Sequence, residues 1–309
     1  MTKNKIKKAD KRKIKYSKMP MEDFSAVWPF VYLPLLYPTS VQVWSLIWTV
    51  LKDFFFLQIK QKLHLSHRPV IYVDTEIDEK IPFTPKYVKD YMSFVGYFVK
   101  PLDMLKKRLG YRKAAHYISV YVKFLNHIYK NAAKIYRFCL TTTTRPKYLK
   151  NQKFRTIHFF DPHLLCVPSI HVCIATGVYA WFKQFFKIGI FPEDEVEFRL
   201  KELREHSIKI VESVLFIKQH SVNCVPLAMY MMTSTMNKSF FSTQDAVDFI
   251  DELFVNCPEI KDEDKKEITR HFHYMYERAL LENCYSDDWQ SCIKHWLIDY
   301  AKKTGQNLN

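Results

Sequence analysis

Apolar side chains recur every third or fourth residue along most of this chain, a period that admits helices and little else. From Tyr111 to Leu140 they fall at Ile118, Val122, Leu125, Ile128, Ala132, Ile135 and Tyr136, an amphipathic helix of about eight turns. His171 to Ile188 and Glu193 to Phe216 repeat the pattern, with Pro192 breaking the chain between them. Ser242 and Thr243 are caps for a helix over Asp245 to Val255, and Asp264 to Leu281 and Trp289 to Lys302 read as two more. One β-branched run, Val70 to Val73, is extended in character and has no evident strand partner. The expectation is an all-α fold. A bundle of about six helices occupies residues 19–236, after a basic disordered tail over 1–18. A small, soluble helical appendage over 237–309 follows, set off by the turn around Pro258.

Composition narrows the function classes. Glycine occurs only 5 times in 309 residues and no GxGxxG or Walker loop is present, which argues against a nucleotide site built on Gly-rich backbone. The formal net charge is +15, and residues 1–18 carry nine Lys or Arg against one acid, Asp10. Such a run attracts an anionic surface, either lipid or nucleic acid. Trp28, Trp44 and Trp48 in the aromatic stretch behind it suit a membrane–water interface. No nucleic-acid motif accompanies the charge, so lipid is the expected partner and nucleic acid is not. The expected location is a membrane, integral or peripheral.

His171 to Ile190 comes nearest to a membrane span but contains Lys183, Gln184 and Lys187, and Val41 to Leu57 is interrupted by Lys52 and Asp53. The mean hydropathy of −0.22 favours shallow attachment over many deep spans. No secretory pattern is expected, because the basic run is long and Pro29, Pro34 and Pro38 break the apolar stretch after it. The seven cysteines are an odd number without zinc or CxxC spacing, and read as reduced thiols.

Phosphoryl transfer needs a nucleophile, a proton donor and fixed cations around the phosphate oxygens. Three segments, each placed at a helix edge, could supply them. Thr141-Thr-Thr-Thr-Arg145-Pro146 closes the long helix and offers a forked guanidinium, with Arg137 two turns earlier. In Cys166-Val-Pro168-Ser169-Ile-His171, Ser169 caps a helix whose free N–H groups favour anions, and His171 sits in the first turn. In Ser213-Val-Leu-Phe-Ile-Lys218-Gln219-His220, Ser213 and His220 share one face if the helix continues. Taken singly, each has a plain reading: dipole compensation, a cap beside a surface histidine, and a solvated helix end.

Together and in this order, the segments resemble the type 2 phosphatidic-acid-phosphatase superfamily. The likeness is closest to the branch that includes inositol-phosphorylceramide synthases, which similarly carries Lys-Gln-His. Asp78-Glu-Lys-Ile81-Pro82-Phe83-Thr-Pro85, followed by Tyr91, is similar to a further segment of that branch. The resemblance covers roughly residues 40–235. It implies that His220 is the nucleophile and forms a phosphohistidine, and that His171 protonates the leaving oxygen. Arg145, Ser169, Ser213 and Lys218 would cradle the phosphate, with no metal or cofactor. The implied activity is phosphatase or phosphotransferase action on a lipid-like phosphate ester.

Two positions depart from the family pattern. Phe138 stands where the first motif has lysine, and Arg137, one step off, is the residue that could stand in. Cys224 stands where the family has the acid that orients the nucleophilic imidazole. Asp161 and Glu212 are the carboxylates that could replace it. Restoring the acid, Cys224→Asp, is expected to raise turnover. The alternative is a catalytically degenerate member that binds phosphate or anionic lipid without turnover. His271-x-His273 has poor spacing for two metal ligands on one helix face, and His64-x-x-His67 reads as surface.

Overall fold

In the computed structural model, which describes residues 14–308, helices make up 68% of the chain and strands 2%, so the fold is all-α. The first long helix is α1, Thr39–Lys62, which passes through a π-helical turn at Leu51–Phe55. Then come α2 (Phe94–Leu109), α3 (Tyr111–Tyr136), α4 (Gln152–Phe160), α5 (Ile170–Phe186), α6 (Glu193–Phe216) and α7 (Cys224–Thr235). The last three are α8 (Thr243–Glu252), α9 (Asp262–Asn283) and α10 (Trp289–Lys303).

The centre is α5. It is apolar on nearly all sides, as a fully surrounded helix must be, and it packs against α2, α3, α6 and α7. Gly177 leaves room at the contacts with α3 and α7: a Cβ there would lie 2.8 Å from Ile128 Cδ1 and 3.2 Å from Met232 Cε. The segment nearest to a membrane span by sequence is therefore the core helix. The one helix long and apolar enough to cross a membrane, among the described residues, is α1, and only 22% of its apolar window is buried.

The extended run has a partner after all. β1 (Val70–Tyr72) pairs in parallel with β2 (Leu140–Thr142), and Thr141 bridges onward to Leu165. The long helix accordingly stops at Tyr136, short of the expected Leu140, which belongs to β2 instead. α6 begins at Glu193, behind Pro192, with Glu193, Asp194 and Glu195 in its first turn where the helix dipole favours acids. It ends at Phe216, and Lys218 takes a positive φ of 56°. Ser213 and His220 thus do not share a helix face, because the helix does not continue.

Residues 1–13 of the expected tail lie outside the described residues. Its remainder is not disordered: the Arg199 guanidinium donates to the carbonyls of Tyr16 (2.9 Å) and Ser17 (3.2 Å). The carboxy-terminal helices share the main core. α9 packs on α7, and Lys80 pairs with Asp264 at 3.0 Å and Glu267 at 2.9 Å. The Gln306 amide caps the free edge of β1, accepting from Tyr72 N–H (2.7 Å) and donating to Tyr72 C=O (2.8 Å).

Candidate active site

The strand pair and the Asp78 turn position the histidines. Ser169 caps α5 by accepting from Val172 N–H at 3.4 Å, which places His171 in the first helical turn. The segment before it is held by β2: Cys166 N–H donates to Thr141 C=O (3.2 Å) and Val167 N–H to the Thr141 hydroxyl (2.7 Å). His220 lies in the loop between α6 and α7. That loop is latched to Asp78, whose carboxylate accepts from the Ser221 hydroxyl (2.7 Å), Val222 N–H (2.8 Å) and Thr75 N–H (2.9 Å). Burial raises the Asp78 carboxyl above its usual range, and these bonds pull the other way.

The two rings meet. His171 Nδ1 lies 3.2 Å from His220 Nε2, and His220 Nδ1 lies 3.2 Å from the Cys166 carbonyl oxygen. A carbonyl only accepts, so His220 carries its proton on Nδ1. Its Nε2 is then bare when the ring is neutral, and accepts from His171 Nδ1–H. Burial pushes His220 down to about 4, against the pull of the Cys166 carbonyl. Burial first, and His220 second, hold His171 well below the ordinary histidine range. Both rings are neutral at pH 7, and His220 presents a lone pair, the form a nucleophile needs.

The rings line a cavity of about 380 Å³ with largely apolar walls, including Phe54, Phe55, Tyr91, Phe94 and Val95. Tyr91 and Phe94 pack on His171 with ring centroids 4.9 and 4.5 Å away. Arg145 opens instead onto a second, more polar cavity with Lys62, His64 and His158, and Asp161 lines both. The Arg145 guanidinium donates to Gln219 Oε1 (3.0 Å) and the Asp161 carbonyl (3.1 Å), so one side chain, Gln219, separates it from the dyad's cavity.

No protein-family model, curated protein or solved structure matches the chain.

The six residues expected to converge divide accordingly. His171 and His220 touch, Ser169 caps the helix two residues before His171, and Arg145 is a neighbour through Gln219. Lys218 turns its ammonium to the Asp78 carbonyl, and Ser213 donates back to Ile210 C=O within its own helix at 2.7 Å. Arg137, the possible stand-in for the first-motif lysine, is paired with Asp53 at 2.6 Å beside a small cavity lined by Lys52 and Arg68.

Among the described residues no carboxylate bonds His220; the Cys166 carbonyl orients it. Glu212 accepts from Phe254 N–H (2.7 Å), facing the carboxy-terminal helices. The Asp161 carboxylate accepts from His163 N–H (2.9 Å) and stands 3.9 Å from Arg145. Cys224 is fully buried.

Sequence reasoning missed His163. It is buried, bonded to the Thr143 hydroxyl at 2.7 Å, and held at a positive φ of 62°. The signal was Asp161-Pro162, since an aspartate accepting from the N–H two residues on builds a tight turn. His271 pairs with Asn223 (2.8 Å) and His273 with Asp251 (2.7 Å), so these two rings serve separate contacts.

Proposed function

We propose that this chain is a phosphatase or phosphotransferase acting on a lipid-like phosphate ester at a membrane surface, with His220 as nucleophile. The observation that carries the reading is the dyad: a buried, neutral imidazole with its Nε2 lone pair turned toward a second imidazole, in an apolar-walled cavity beside an arginine. In the reaction His220 Nε2 attacks phosphorus and the ester P–O bond breaks. His171 delivers a proton to the leaving oxygen. Water or an alcohol then takes the phosphoryl group from the phosphohistidine. Entry of the phosphate dianion parts the two rings and raises the affinity of His171 for a proton, which gives it the proton it must donate, while His220 Nε2 stays bare and faces phosphorus. The apolar walls suit an alkyl-bearing ester, and the resemblance of the three motifs points the same way.

The second reading is a binder without turnover. It is favoured by Lys218 and Ser213 facing away from the dyad and by the cysteine at 224. One assay separates the two: purified protein with a water-soluble phosphomonoester, alongside His220→Ala. Turnover lost in the variant supports the enzyme. Phosphate binding without turnover supports the second reading, and turnover that survives His220→Ala sinks the assignment of the nucleophile.

A further inference from the structure

The membrane part of the proposed function leaves open which surface meets lipid and whether the chain crosses. Two adjoining helix faces bear on this. On α1, Val41, Trp44, Trp48, Leu51, Phe55 and Ile59 are exposed, Trp48 to 61%. The corner before it exposes Trp28, Leu35 and Tyr37, and Trp44 Nε1 donates to Pro34 C=O (3.1 Å), which joins corner and ridge into one patch. An apolar patch of this extent marks an interaction surface. The only acid within α1 is Asp53, which is buried and paired with Arg137.

α3 lies alongside. Its Asn126 amide donates to the Ser45 hydroxyl of α1 at 2.9 Å, and Arg112, His116, Lys123 and Lys130 occupy the exposed arc next to Asn126. No Asp or Glu occurs from Tyr111 to Tyr136. Among the described residues, Arg112, Lys123 and Lys130 have no acidic partner within salt-bridge distance.

We propose that the chain lies flat on one leaflet of an anionic bilayer. The α1 ridge enters the boundary between headgroups and acyl chains, the α3 stripe rests over headgroup phosphates, and no helix crosses. α1 has the length and composition of a span, but crossing would carry α3 into hydrocarbon with cations along its whole length, which lipid does not tolerate. A helix apolar on one side with basic residues beside it is the arrangement that binds in the interface plane. A second copy of the chain would cover the ridge only by bringing two basic stripes together, and a nucleic acid would leave the Trp, Leu and Ile ridge in water. The dyad's cavity opens on the same side, since Phe55, Met92 and Val95 both line it and are exposed.

The inference rests on the membrane reading and not on turnover. The test uses the full chain and sedimentation with vesicles of phosphatidylcholine, pure or with roughly 30% phosphatidylserine. Binding is expected only to the anionic vesicles, weakened by about 0.5 M salt, and fully reversed by alkaline carbonate. Lys123→Glu/Lys130→Glu, with its helical circular dichroism unchanged, should bind at least roughly 30-fold more weakly, about fivefold per lost cation. Trp44→Ser/Trp48→Ser should also release the protein. Carbonate-resistant retention would overturn the flat geometry in favour of a span. Equal binding to neutral vesicles would remove the role of α3. A dimer abolished by Trp44→Ser/Trp48→Ser, or RNA binding abolished by the lysine changes without vesicle binding, would assign the surface to another partner. Turnover of a water-soluble phosphomonoester, measured on the same variants, reports the enzyme reading separately.

Discussion

His171 Nδ1 stands 3.2 Å from His220 Nε2, and the other nitrogen of His220 is already committed to the Cys166 carbonyl. This chain of donors and acceptors fixes both tautomers without a carboxylate. Nitrogen-15 spectra of the histidine rings at pH 7 should show two neutral rings protonated at Nδ1. A charged His220 at that pH, or one protonated at Nε2, would contradict the assignment.

Cys224→Asp is expected to fail as a repair. The orienting position beside His220 Nδ1 is occupied, and the new carboxylate would sit where the cysteine is fully buried. Burying an unpaired polar group costs about 1–3 kcal/mol, and more when it is charged. A lower melting temperature and unchanged or reduced turnover are expected. Raised turnover would show that a carboxylate at 224, and not the Cys166 carbonyl, best orients the working ring.

Stability should fall as the solution is acidified from about pH 6.5 toward 4. The folded-state affinity of His220, His206 and His271 for protons is displaced downward to about 4, and His171 and His163 also lie low, all through burial first. For a depressed histidine the unfolded chain binds the extra proton in this window, so the stability is present above the unfolded value and lost below it. Asp78, Asp161 and Glu212, displaced upward by burial, work in the opposite sense. The contribution of one ring is isolated by comparing urea unfolding of the parent and His220→Gln at pH 7.5 and 5. The parent should lose more stability between the two, by on the order of a few kcal/mol.

Asp78→Ala removes the acceptor for three donors at the turn that holds the His220 loop. A loss of about 2–4 kcal/mol is expected by denaturant titration. Hydrogen exchange should show the Val222 amide losing protection first. Unchanged protection there would mean that the loop is held by other contacts.

Gly177→Ala places a methyl 2.8 Å from Ile128 Cδ1 at the crossing of α5 with α3. Overpacking costs about 1–3 kcal/mol, offset in part by the roughly 1 kcal/mol that alanine gains over glycine inside a helix, since only the ends of the Ile128 and Met232 side chains must shift. The change should lower the melting temperature while leaving the far-ultraviolet helical signal intact.

What could be read from the sequence was mostly local. The bounds of α6 follow from Pro192 and its acidic first turn, and the Ser169 cap follows from its place before an apolar run. The partner of β1 was hidden because parallel pairing joins residues 70 apart, as in Val70 with Leu140, and leaves no periodic trace. The end of α6 at Phe216 was legible, but whether the helix continued to His220 stayed open because Ile217, Lys218 and Gln219 have no helix breaker among them. The contacts of Asp78 with Ser221 and Val222 override that propensity. His171 and His220 were legible as a pair through their motifs, whereas His163 has no motif and reaches the site through a turn.

The bond between Gln306 and Tyr72 has a consequence for synthesis. A chain growing from the ribosome makes the β1 strand early, yet that strand's outer edge stays unpaired until a glutamine 234 positions later has emerged. The same late residues bring Tyr300, whose hydroxyl donates to the Asp74 carbonyl beside the Asp78 turn. The bundle can therefore collapse before residues 300–306 are made, while the support behind the two histidines waits for them, so nascent chains stalled short of residue 300 would carry a loosely held dyad.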